Sequence, residues 1–207
     1  MRRMKRGAKW GGVVGAVLLV SACVEDIGLS PAPEQETPVE GPPSRVRSTQ
    51  GAEGTWTTVV DATSSAEWVG VDLDTRTEVD AARDAAWELS VQRFHVRTRG
   101  GPNGTGGVAV AVLDDTDFDT LRAAPTEGYQ QDRGEDSKGT VFEAEGGGWY
   151  DYEPSTHKLN PKAGRVYVVR GDQGRYFKLR VTNYYDAAGT SGWMSLRWAE
   201  LPAPPRP

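Results

Sequence analysis

The sequence predicts an all-β fold: a single antiparallel β-sandwich-like domain with short helical turns, preceded by a disordered tether. Short apolar runs rich in Val, Trp, Tyr and Phe recur between residues 56 and 198, and turn-forming Gly, Asn, Asp or Pro separates most of them. Helical patterning is confined to two stretches of a turn or two. With one cysteine in the chain no disulfide can form, so the core must rest on apolar burial at ~25 cal/mol per Å².

The chain opens with a three-part leader. Arg2, Arg3, Lys5, Arg6 and Lys9 precede the apolar run Val13 to Val20, and small residues lead to Cys23. The run falls short of the roughly 20 residues needed to cross a bilayer. Val20-Ser21-Ala22-Cys23 has the form of a lipobox, so we expect residues 1–22 to be a lipoprotein signal peptide and Cys23 to carry lipid. Two or three acyl chains there give a stable membrane anchor. Val24, not aspartate, follows the cysteine, which points to the outer membrane or cell surface of a bacterium. Residues 23–54 carry Pro31, Pro33, Pro38, Pro42 and Pro43 among polar residues and read as a semi-rigid linker. The domain is expected over 55–201, with a Pro-rich tail at 202–207.

Within the domain, Trp56 to Val60 is a β-branched run, and Trp68 to Leu73 alternates. Trp87, Leu89 and Val91 share one strand face while Phe94 and Val96 fall on the other phase, so a bulge is expected near Gln92-Arg93. Val108 to Leu113 is apolar on both faces and suits a central strand. Strands are also expected at Thr140-Val141-Phe142, Trp149 to Tyr152, Val166 to Val169, Tyr176 to Val181 and Trp193 to Trp198. Gly171 to Gly174 marks a hairpin. Helical turns are expected at Asp80 to Ala86 and Asp117 to Ala124.

Loss of the leader removes five of the 24 basic residues and none of the 29 acids, leaving a net charge of −10. Such a field repels polynucleotides, so no nucleic-acid partner is expected. The glycine run Arg99 to Gly107 lacks the Gly-Lys-Ser/Thr ending of a phosphate loop and leads into a strand; it reads as a loop. Asp115-Thr116-Asp117-Phe118-Asp119 begins like a calcium loop, yet Thr120 stands at the turn glycine and Thr126 at the closing glutamate. It reads as an acidic turn or helix start. His95 and His157 are the two histidines, one in a strand and one in a turn, and as such are ordinary boundary or surface residues. Neither a nucleophile–base order nor a carboxylate pair stands out, so no enzyme is expected. Trp149, Tyr150, Tyr152, Tyr184, Tyr185, Trp193 and Trp198 read as core or rim and are also able to line an apolar pocket.

Four stretches in order carry a further likeness: Ala86 to Gly101, Gly148 to Tyr152, Val166 to Arg170 with Gly174 to Leu179, and Asn183-Tyr184-Tyr185. Together they resemble the HmuY family of surface lipoproteins over nearly the whole mature domain. That resemblance implies an all-β domain open at one end, haem capture for iron acquisition, and delivery to a TonB-dependent receptor. It also implies axial ligation of haem iron by histidines or methionines. Here the candidates are His95 and His157, with Met194 or Tyr129 able to replace one of them. Two such ligands must approach from opposite faces, with nitrogens about 4 Å apart, since imidazole–metal bonds are ~2.0–2.1 Å. Glu88 departs from the family's strand Asp and Arg99 from its turn Asn, and the loop Pro125 to Gly139 holds Tyr129 and Lys138 but neither His nor Met. The alternative is a non-haem module on the same scaffold, binding a protein, glycan or apolar ligand.

Overall fold

The computed structural model describes residues 43–134, 139–144 and 148–205. The leader, Cys23 and the tether up to residue 42 lie outside them. Two sheets dominate. The larger has six antiparallel strands in the order β1 (Val46–Gln50), β2 (Thr55–Asp61), β12 (Ser191–Leu201), β11 (Tyr176–Tyr185), β10 (Val166–Arg170) and β7 (Ala109–Leu113). The smaller orders β4 (Thr77–Asp80), β3 (Val69–Asp72), β5 (Leu89–Gln92) and β6 (His95–Thr98). A separate hairpin pairs β8 (Tyr150–Glu153) with β9 (Lys158–Pro161).

Strand periodicity explains how the sheets meet. On β12, Met194, Leu196 and Trp198 alternate inward, as do Phe177, Leu179 and Val181 on β11 and Tyr167 and Val169 on β10. Val69, Val71, Leu89, Val91 and Val96 of the smaller sheet join them in one core. The outward residues Val166 and Val168 are buried too, under the segment from Asp114 to Gln130. That cover is fastened by Lys178, whose Nζ donates to the carbonyls of Phe118 and Leu121 at 2.7 and 2.9 Å. Burial there holds the Lys178 ammonium below its usual range.

Several elements differ from expectation. β1 lies inside the stretch read as linker: its register runs from Val46 opposite Val60 to Gln50 opposite Trp56. Its exposed, polar composition hides it, since only Val46 is buried. The phase change after Val91 is a hairpin turn and not a bulge, with Gln92 opposite His95 across Arg93-Phe94. Arg93 takes φ 53 there and ties the turn to the larger sheet through Thr63 O and Ser191 Oγ. Thr140-Val141-Phe142 is a turn, closed by Ala144 N donating to Thr140 O. Both expected helical stretches shrink to single hydrogen-bonded turns at Asp80 and Asp117. The Gly171–Gly174 hairpin forms, with Gly171 N bonded to Arg175 O.

The glycine run has a packing reason. Arg99 is buried and donates to Trp87 O and to the Asp172 carboxylate. A Cβ at Gly104 or Gly106 would collide with the Arg99 side chain, and at Gly100 with the Val108 carbonyl. The loop is therefore wrapped on an arginine. Close by, Glu88 is buried and accepts from Leu73 N at 2.7 Å. Burial, then the neighbouring Asp74, Asp72 and Asp172, push its carboxyl up to about 8, against the single backbone bond.

Two outcomes follow. Gly100→Ala should lower unfolding free energy in urea by ~1–3 kcal/mol, the usual cost of overpacking. Because native Glu88 holds its proton up to about 8 and an ordinary glutamate only to 4.5, the native state binds more protons between those values. Stability should therefore fall as pH rises through that window, and thermal melts of Glu88→Gln should show a shallower fall.

A histidine-bearing flank as candidate functional site

β6 is the outer strand of the smaller sheet, and its backbone is closed off by side chains. Val96 and Thr98 turn inward, so His95 and Arg97 face out. Thr98 N donates to Asp132 Oδ2 at 2.7 Å, and Val96 N donates to Glu143 Oε1 at 3.2 Å. Asp132 also accepts from Thr98 Oγ1, Asn103 Nδ2 and Val141 N. It therefore joins β6, the glycine loop and the turn at 140–144 in one carboxylate. Phe142 anchors that turn in the core, stacked on Tyr167 with centroids 4.3 Å apart.

Glu143, next along the turn, reaches His95. Both carboxylate oxygens lie within hydrogen-bond range of Nδ1, at 2.9 and 3.1 Å. A carboxylate only accepts, so Nδ1 is the donor of this pair and Nε2 takes no part in it. The Glu143 side chain is 4% exposed and the His95 ring 30%. Burial pushes the Glu143 carboxyl up, opposed by its bonds to His95 and Val96.

His157 sits on the neighbouring hairpin. Trp149 enters the core just before β8 and donates from Nε1 to Phe94 O, fixing the hairpin's base beside the His95 turn. Tyr185 OH accepts from Leu159 N and holds β9 against β11. Aromatic rings lie beside each histidine. His95 packs on Phe94 at 4.0 Å and Phe94 meets Tyr150 edge-on at 5.9 Å. Two residues further on the same side of β8, Tyr152 meets His157 at 6.1 Å. His157 takes φ 54 in the connecting turn, is exposed, and its Nδ1 lies 2.5 Å from Tyr152 OH.

The other two candidate ligands do not join this flank. Met194 is fully buried in the shared core opposite Val60, because its strand phase points it between the sheets. Tyr129 lies across the larger sheet, under Arg170 and beside Tyr176. Its hydroxyl is buried without a hydrogen-bond partner, and burial raises it to about 12. Of the acids in Asp115 to Asp119, Asp119 pairs with Arg197 and Asp117 accepts from Asp119 N. A groove of about 1210 Å³ runs elsewhere, lined by Arg45, Glu67, Trp68, Arg76, Glu78 and Arg97 among others, and by none of the four candidates.

Sequence reasoning missed Asp132 and Glu143. Their positions carry no spacing relation to His95, being 37 and 48 residues away. The one available signal was acids in otherwise apolar or turn-rich surroundings. It also missed Asp72, Asp74 and Glu88, whose carboxylate oxygens lie within 4.8 Å of one another.

Two antiparallel sheets around one core, with an appended hairpin that carries His157, define an all-β domain. The HmuY family profile matches residues 64–198, and the chain belongs to the HmuY family. Solved structures share the fold. An apo HmuY analogue of Tannerella forsythia is 16% identical, with TM-score 0.56, covering 76% of this chain and 97% of its own. A protein of Bacteroides vulgatus assigned as HmuY-like and haem-binding is 20% identical, with TM-score 0.55 and coverage of 76% and 97%. A Bacteroides fragilis protein assigned as a lipoprotein is 21% identical, with TM-score 0.53 and coverage of 73% and 94%. Among curated proteins none matches the chain.

Removing the shared carboxylate tests this architecture. Asp132→Ala strands the buried Thr98 and Val141 donors, each costing ~1–3 kcal/mol when buried and unpaired. A denaturant midpoint unchanged from wild type would contradict that role.

Proposed function

We propose that the chain is a lipid-anchored cell-envelope protein that captures haem on the flank of His95 and the β8–β9 hairpin. One observation carries the reading. Each histidine has Nδ1 engaged by a neighbouring side chain, Glu143 for His95 and Tyr152 for His157, which leaves Nε2 as the nitrogen directed to a ligand. Metal-binding histidines are oriented in this manner. Membership of the HmuY family supports it.

The side chains on this flank are of the kind such a group takes. Haem, when bound, supplies an iron that takes imidazole nitrogen. His95 and His157 would hold it through Nε2, with Phe94, Tyr150 and Tyr152 as the aromatic side chains beside them. Met194 and Tyr129 take no part, one being inside the core and the other beyond the larger sheet. No bond is made or broken in the ligand, so the protein acts as a binder and not as an enzyme. Cys23 would fix it to the membrane, and a TonB-dependent receptor would take the haem onward in iron acquisition.

A second reading rests on the charged groove, where the Arg97 guanidinium lies 4.0 Å from the Trp68 ring centroid. A planar ring beside paired acids and arginines suits a polar, non-haem ligand such as a glycan.

Titration of the full-length protein with haemin should give a saturable Soret shift near one equivalent. His157→Ala should weaken it, and Met194→Leu should leave it unchanged. A spectrum identical to free haemin at every ratio would refute the haem reading and leave the groove.

A further inference from the structure

We infer that Glu143 is a positioning residue that makes His95 a strongly donating ligand and biases the flank toward ferric over ferrous haem. This rests on the haem reading above.

The geometry separates the two histidines. His95 Nδ1 faces a full carboxylate, with both oxygens in range at 2.9 and 3.1 Å. His157 Nδ1 faces the Tyr152 hydroxyl on an exposed turn. A charged acceptor draws the Nδ1 proton toward itself and raises electron density at Nε2, which a neutral acceptor does far less. The effect grows as solvent is excluded, and Glu143 is 4% exposed. Glu143 is also held in place. Its Oε1 accepts from Val96 N, and its turn is pinned by Val141 N to Asp132 and by Phe142 in the core. The carboxylate therefore cannot swing away when the imidazole is loaded. The more highly charged iron gains more from a richer nitrogen, so the preference falls on the oxidised form.

The test compares wild type, Glu143→Gln, His95→Ala and Tyr152→Phe as full-length proteins, titrated with haemin in air and again under a reductant. Glutamine has the shape of glutamate and can still accept from Val96 N, so matched thermal melts establish that the fold is kept. Glu143→Gln should lower ferric affinity ~10-fold or more and ferrous affinity less. The haem potential should rise by ~59 mV for each tenfold loss in the ferric-to-ferrous affinity ratio. Tyr152→Phe should leave that ratio unchanged. An unaltered potential in Glu143→Gln, or a wild-type potential in His95→Ala, overturns the inference while the haem reading stands. Absence of haemin binding by wild type overturns both.

Discussion

The buried carboxylate of Asp132 receives donors from three segments: Thr98 on β6, Asn103 in the glycine loop and Val141 in the turn at 140–144. An outer strand normally presents unpaired N–H groups to solvent or to another chain. On β6 two of these, at Val96 and Thr98, end on carboxylates. Satisfying the strand edge in this manner also decides what stands beside it. The turn that supplies Val141 N carries Phe142 into the core and Glu143 onto His95, so backbone satisfaction and histidine orientation are one construction. If the loop were drawn from β6, Glu143 would leave with it.

Arg99 has a matching role on the other side of the glycine loop. A buried guanidinium requires acceptors, and Trp87 O and Asp172 provide them. The loop must then pass close over the arginine stem, where only glycine leaves room at 104 and 106. The Arg99 side chain fills the loop and crosses to the β10–β11 turn, close to the buried Glu88.

The legible part of this fold is the part governed by apolar periodicity. Runs such as Val108 to Leu113 and Tyr176 to Val181 state their strand phase directly, because alternate residues bury. β1 does not, since Arg47 and Thr49 alternate with polar Ser48 and its pairing partner alone makes it a strand. The Arg93 turn resembled a bulge because both devices shift the phase of alternation. At the site, the two histidines and the aromatic hairpin were visible as residue types. What selected between the four candidate ligands was strand phase and layer: Met194 shares its phase with Leu196 and Trp198, and Tyr129 packs with Val168 behind the sheet. Glu143 was hidden because long-range carboxylate–imidazole pairing leaves no trace in local spacing.

β1 also has a mechanical consequence. Among the described residues it is the first strand and the outermost of its sheet, paired there with β2 alone. Tension arriving through the preceding chain enters at Arg45, whose backbone and guanidinium are both gripped by Glu78 of the smaller sheet. The load is thus shared between two sheets before the β1–β2 ladder bears it. The Arg45–Glu78 pair is thus a strain relief for any pull on that side of the domain.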